Sequence, residues 1–387
     1  MILGSLFMQQ SGLCTFLQGS NIVMGCLLLH EIKSSAHTSH KNFMGGIYLT
    51  VQHFGRQSIA FAEKPLILSY ASVVGKKEAA GPLADSFDLK SQDTFFGQKS
   101  WEQAESRMQQ LCYELALEKG KLSLTDLDAA FMGDLLNQCV GSSFSLRDRR
   151  VPAFGLYGAC STMAEGLLLG AMAVSGGFCR KVMALTSSHF AASERQYRFP
   201  LGYGGQRTPT AQWTVTGAGA VILGSEGKGL RLCHGTIGTI VDGGIKDANN
   251  MGAAMAPAAV STLEAHFRDL NLKPTDYDLI VTGDLGKLGY ELVLELMGRK
   301  GYDLSANYSD CGMLIYDLEK QDVHCGGSGC GCSAVTLCGS LLGRLKRGEL
   351  KRLLFCGTGA LLSPLSVQQG QSIPAVCHAV SICKEED

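Results

Sequence analysis

The sequence has almost no excess charge of either sign: 34 Lys and Arg stand against 35 Asp and Glu, a net of −1 over 387 residues. That balance leaves no electrostatic footprint for nucleic acid and no polybasic membrane patch. Long apolar runs are also missing. The apolar stretch near the start, Ile22 to Leu29, falls far short of the ~20 residues that span a bilayer, and no basic segment precedes it as in a secretory signal. Fifteen cysteines are present, an odd number, and none is spaced Cys-x-x-Cys. Cys330-x-Cys332 is the wrong spacing for a tetrahedral zinc clip, so no metal site is expected. We read the cysteines as small buried hydrophobes in a reducing compartment, with no disulfide framework. No GxGxxG or Walker pattern occurs, which argues against a nucleotide phosphate loop, and no cofactor is expected. What remains is an enzyme-like globule, 45% hydrophobic and 18% charged, with a small-molecule pocket.

What the chain does contain is a repeat. Thr125-Asp126-Leu127-Asp128 runs through four residues to Gly133-Asp134-Leu135, and Thr275-Asp276-Tyr277-Asp278 runs through four to Gly283-Asp284-Leu285. The offset of 150 residues (275 minus 125) is too long for a solenoid. It predicts two copies of one α/β half, 44–225 and 226–387, with functional groups where the copies meet. Residues 1–43 are read as a leader outside the fold, with Met44 as an alternative start. In the first half Ser100 and Gln103 suit a capping box opening a helix over 101–119, followed by a strand over 129–132. In the second, a helix over 258–270 leads to a strand over 279–282. A second correspondence follows. Gly158-Ala159-Cys160-Ser161 opens a small-residue helix over 162–175, and Gly329-Cys330-Gly331-Cys332-Ser333 opens another over 334–345. Helices with small residues on every face are buried between layers, which fits strands covered on both sides.

Cys160 is the leading candidate for chemistry. It stands at a helix N-terminus, where amide groups and the helix dipole favour a thiolate. The alternative is a packed cysteine at a helix start. A nucleophile needs a base, and His189 and His324 are the better-placed histidines, whereas His266 sits among charged residues and is expected to be exposed. The segment from Ser193 to Arg207 carries Arg195, Arg198, Tyr197 and Tyr203, groups that suit a planar anion or, equally, a solvated loop or subunit contact. Asp134 and Asp284, at matching strand ends, are pocket carboxylates or turn-formers, with the structural role favoured.

The duplicated halves and the cysteine opening a buried helix resemble the thiolase and ketoacyl synthase superfamily, and within it a sporulation branch. The segments that carry this are Gly133 to Gln138, Gly158 to Thr162, Thr186 to His189, Ser193 to Tyr203, Met255 to Ala259 and Gly357 to Pro364, spread over roughly residues 52 to 380. The resemblance implies a duplicated five-layer αβαβα sandwich, commonly a homodimer. It also implies a soluble, cytoplasmic component, peripheral to the inner forespore membrane, of a complex of membrane proteins that moves dipicolinic acid into the developing spore. This subunit would bind dipicolinic acid, with or without calcium. By position Cys160 matches the superfamily nucleophile. Gly283-Asp284 and Gly329-Cys330 stand where condensing enzymes carry His or Asn, so condensation is not expected. The alternative is a coenzyme A-dependent condensing or acyl-transfer enzyme using Cys160. The candidate ligand-binding residues are Asp134, Cys160, Ser161, Ser188, His189, Arg195, Arg198, Tyr203, Asp284 and Cys332.

Overall fold

Ten strands form the main path of one mixed sheet in the computed structural model, which describes residues 52–197 and 207–384. They are β1 (Leu66–Val74), β2 (Ala129–Gly133), β3 (Ala153–Leu156), β4 (Lys181–Ser188), β5 (Gly217–Gly224), β6 (Leu230–Thr236), β7 (Leu279–Thr282), β8 (Tyr308–Asp310), β9 (Arg352–Ala360) and β10 (Pro374–Lys384). The order is β8-β7-β9-β10-β6-β1-β5-β4-β2-β3. Read outward from the β6–β1 junction, each arm repeats one pattern: two antiparallel pairings, then two parallel ones. The central strands are apolar along their length, as strands covered on both faces must be; all eight residues of β5 are buried.

Four helical segments supply the covering layers. Helices α1 (Trp101–Gly120) and α3 (Met251–Leu270) each pack on strands of one arm. Helix α2 (Thr162–Ser175) and the helix α4, which begins at Cys330–Thr336, lie between the arms; α2 touches β4 and β2 on one side and β10 and β9 on the other. The layers are therefore αβαβα. Gly170 lets α2 approach the first of these arms closely, since a Cβ there would stand 3.1 Å from Val182 on β4 and 3.3 Å from Leu223 on β5.

The aspartates of the two Thr-Asp-x-Asp turns do identical structural work. Asp126 Oδ2 accepts from the Ser123 amide and Asp276 Oδ2 from the Lys273 amide, both at 2.7 Å, closing a short 3₁₀ turn. Asp128 Oδ2 accepts from the amides of Arg180 and Lys181 at the start of β4, and Asp278 Oδ2 from those of Lys351 and Arg352 at the start of β9. Each motif thus ties a helix end to the strand beside it, in both arms.

Two expectations are overturned. Helix α3 starts at Met251, seven residues before the expected Ala258, with Pro257 inside it. The missing amide of Pro257 costs one helical bond, but Asn250 caps the first turn by accepting from the Ala253 amide at 3.3 Å, and most of the helix is buried. The cysteines are not all free: Cys233 on β6 and Cys383 on β10 form a disulfide with their Cα atoms 6.6 Å apart. A separation of 150 residues hides a pair that antiparallel neighbours bring together.

Candidate functional site

Cys160 lies in a 3₁₀ turn, Ala159–Ser161, directly before α2. Ala159 takes a left-handed φ of 51°, a conformation that non-glycine residues adopt rarely, and the turn is pinned by the Ser161 and Thr162 hydroxyls donating to the carbonyls of Gly158 and Ala159 at 2.7 Å. The turn sets Cys160 on the wall of a cavity of about 110 Å³. Leu135, Ser193, Glu194, Tyr197, Gln212, Thr214, Asn249, Met251, Ser328 and Leu362 line it with Cys160, so both arms contribute.

The electrostatics at this wall are set by Asp284. Its carboxylate is fully buried, accepts from the Thr358 hydroxyl and the Gly329 amide at 2.9 Å and from the Ser328 hydroxyl at 3.4 Å, and lies beside the Cys160 thiol. Burial pushes the Asp284 carboxyl up to about 6, while its hydrogen bonds oppose the shift. Gly329 is needed for this arrangement. Its φ is +96°, and a Cβ there would meet Ser188 Oγ at 2.7 Å.

Cys160 is not poised as a thiolate. Burial raises its thiol well above the usual range, and Asp284 and then Cys330 add to the rise. A helix dipole contributes about 0.3–1 kcal/mol, under one pKa unit, whereas full burial shifts a group by up to about 3–5 units. The larger effect wins.

The other expected residues scatter. Asp134 is a turn-former: it accepts from the amides of Leu136 and Ser142 and from the Ser142 hydroxyl, away from the cavity lining. Ser161 is spent on Gly158. Ser188 donates to the Val215 carbonyl at 2.7 Å and accepts from the Gly331 amide at 3.1 Å. His189 is buried, with Nε2 donating to the Thr94 carbonyl at 2.8 Å and Nδ1 accepting from the Ala192 amide at 3.4 Å; burial lowers its pKa. His324 stands beside Asp322, 3.5 Å from its carboxylate. Neither histidine lines the cavity. Arg195 pairs with Glu102, covers the Trp101 ring at 5.2 Å and lines a separate groove. Cys332 is buried among core residues. Arg198 and Tyr203 lie outside the described residues. His266, expected to be exposed, is fully buried between Thr236 and Tyr277. The sequence reading missed Glu194, Gln212, Thr214 and Asn249. Gln212 and Thr214 stand in a polar stretch leading into the small-residue strand at Gly217, and Glu194 in the arginine- and tyrosine-rich segment that begins at Ser193.

A family model described as stage V sporulation protein AD matches residues 55–383. Stage V sporulation protein AD of Bacillus subtilis (strain 168) is 41% identical over 326 residues, covering 84% of this chain and 96% of the relative. Among solved structures, 3-oxoacyl-[acyl-carrier-protein] synthase III from Aquifex aeolicus is similar with a TM-score of 0.51 at 13% identity, over 82% of this chain and 99% of the other. An OleA variant from Xanthomonas campestris reaches 0.55 at 14% identity, over 84% and 99%. At such identities the likeness establishes the thiolase-like fold.

Proposed function

The chain belongs to the stage V sporulation protein AD family, and we propose that it is a binding subunit that holds dipicolinic acid in the cavity beside Cys160 for uptake into the developing spore. The observation that carries this reading is the pairing of Cys160 with Asp284. A cysteine that forms a thioester must ionise, and a buried carboxylate beside it opposes ionisation. Among the described residues no histidine lines the cavity to take the proton. Glu194 is the only described lining residue with a formal charge. The ligand's negative charge is then balanced by calcium bound with it; Arg198 and Tyr203, the expected anion contacts, lie outside the described residues.

The partners in this reading are the other SpoVA membrane proteins, with the chain peripheral to the inner forespore membrane. Among the described residues no helix is long and apolar enough to cross a membrane. A second copy of the chain is the other proposed partner, paired along the open edge at β3.

Titration calorimetry with dipicolinate, with and without calcium, tests the reading. Saturable binding that is weakened in Cys160→Trp, which fills the cavity, is expected. The competing reading, acyl transfer, has in its favour that Cys160 opens into the cavity. Incubation with acetyl coenzyme A and intact-mass measurement separates the two. An acyl adduct lost in Cys160→Ala, with no dipicolinate binding at millimolar ligand, would overturn the binding role.

A further inference from the structure

Trp213 is covered on both faces. The Phe190 ring stacks on it with centroids 3.9 Å apart and planes 9° from parallel, which closes one face. Lys77 Nζ lies 4.1 Å from the indole centroid and Arg207 Cζ 4.8 Å from it, so the two cations share the other face. One cation over an indole is a favourable contact, whereas two of them repel each other at close range. Neither is free to leave. The Lys77 carbonyl accepts from Gln321 Nε2 at 2.8 Å, and Arg207 donates to the Asp322 carbonyl at 2.9 Å while pairing with its carboxylate at 2.8 Å.

A like charge disfavours the protonated form of its neighbour, and arginine does not give up its proton in proteins, so the lysine is the group that yields. Burial and then Arg207 lower the Lys77 pKa, with Asp322 and Glu78 opposing. The two acids have other partners. Asp322 is paired with Arg207 and stands 3.5 Å from His324, and Glu78 is fully buried with its own carboxyl raised by burial. Lys77 is half-buried and so remains open to a reagent. A lysine that is partly desolvated beside another cation is an activated nucleophile.

We infer that Lys77 is an acylation site: its neutral amine takes an acyl group from an activated donor, an acyl phosphate or an acyl thioester. The Nζ lone pair attacks the donor's carbonyl carbon and a C–N bond forms. The C–O bond to phosphate or the C–S bond to the thiol breaks, and the amine's proton passes to water. The product amide carries no charge, which ends the repulsion with Arg207. Gln212 and Thr214 line the cavity, and in extended chain the residue between them points the other way, so the modified stack is the reverse side of the cavity wall. The inference is independent of what fills that cavity.

The test uses the full chain at mildly alkaline pH, with acetyl phosphate in one arm and acetyl coenzyme A in the other. Tandem mass spectrometry follows acetylation lysine by lysine, with Lys76 as the reference because it is exposed and adjoins Lys77. Lys77 is expected to acetylate at least about threefold faster than Lys76, one pKa unit being a factor of ten in free amine. The arm that shows this identifies the donor class. The preference should shrink in Arg207→Gln, which removes the second cation, and should be unchanged in Cys160→Ala. Acetylation of Lys77 no faster than Lys76 in both arms overturns the inference, even if Arg207→Gln fails to fold. A preference of undiminished size in folded Arg207→Gln overturns it too. An adduct at Lys77 that is lost in Cys160→Ala would mean that the acyl group arrives through the cavity cysteine, and direct acylation would fall.

Discussion

At Cys160 and Asp284 two acids share one buried wall: the carboxylate keeps the thiol from ionising, while the thiol's hydrogen bond favours the carboxylate. Burial and Asp284 raise the thiol; burial alone moves the Asp284 carboxyl to about 6 against the pull of its hydrogen bonds. Asp284→Asn keeps the shape and removes the charge, so the thiol pKa should fall and Cys160 should react faster. We expect iodoacetamide labelling of Cys160 at mildly alkaline pH, followed by peptide mapping, to be slow in the native protein and faster by about tenfold in Asp284→Asn, since one pKa unit is a factor of ten in thiolate. An unchanged rate would mean that access, and not ionisation, limits this cysteine. The sequence marks both residues, because a glycine-flanked cysteine before a helix and a Gly-Asp strand end are local patterns. Gln212 carries no such pattern, and Ser193 and Glu194 stand in a segment marked out only by its arginines and tyrosines. They come together only on the lining of one cavity, where the Gln212 amide is fixed by carbonyls 72 and 115 positions away.

Most elements are legible from sequence because helix periodicity and turn chemistry are local. Helix α1 is expected over 101–119 and runs Trp101–Gly120, opened by Ser100 accepting from the Gln103 amide. Where the sequence misleads, tertiary burial overrides a local signal: the helix expected over 258–270 begins at Met251 and carries Pro257 inside it, and charged neighbours suggest an exposed His266 that is in fact sealed. His266 Nδ1 meets the Thr236 hydroxyl at 2.8 Å and Nε2 the Tyr277 hydroxyl at 2.6 Å, and burial, helped by His234, holds its pKa down at about 3. Between that value and about 6.5, where histidine titrates in an unfolded chain, the unfolded state binds more protons, so the His266 contribution to stability declines as pH falls through this window. The buried Asp284 and Asp310 work in the opposite sense, because their carboxyls are raised to about 6 and about 7 and the fold holds their protons more tightly. A comparison that keeps both aspartates isolates the histidine. Urea unfolding near pH 7 and near pH 5 should show His266→Gln less stable at neutral pH but losing less on acidification, by about 1.4 kcal/mol per pH unit. Parallel losses in the two proteins would contradict a neutral, buried His266.

The two ends of the sheet occupy equivalent places in the repeated strand order, yet they are finished differently. At one end β8 is covered: Tyr308 is buried and stacks on Tyr290 with ring centroids 4.9 Å apart. At the other, among the described residues β3 pairs only with β2, three of its four residues are exposed, and Phe154 is 59% exposed with one face stacked on Phe131. Phe178, at 86%, and Phe144 and Tyr157, at about half, are also exposed on this arm of the molecule. An open strand edge is a template for pairing, and monomeric proteins blunt it with charge, proline or a covering element. Here aromatic side chains stand where those devices would be. A second copy meeting this edge about a twofold axis would continue the sheet antiparallel through both chains, closing the assembly and burying the aromatics. Size-exclusion chromatography with light scattering should give twice the chain mass for the native protein and a single chain mass for Phe154→Glu, which places a charge at the centre of the pairing. The same substitution should leave the thermal melt of a dilute sample within a few degrees, because Phe154 is mostly outside the core. A native protein that runs as a monomer at tens of micromolar would instead assign this edge to a different protein, and the aromatic side chains around β3 would then be the surface to map by crosslinking.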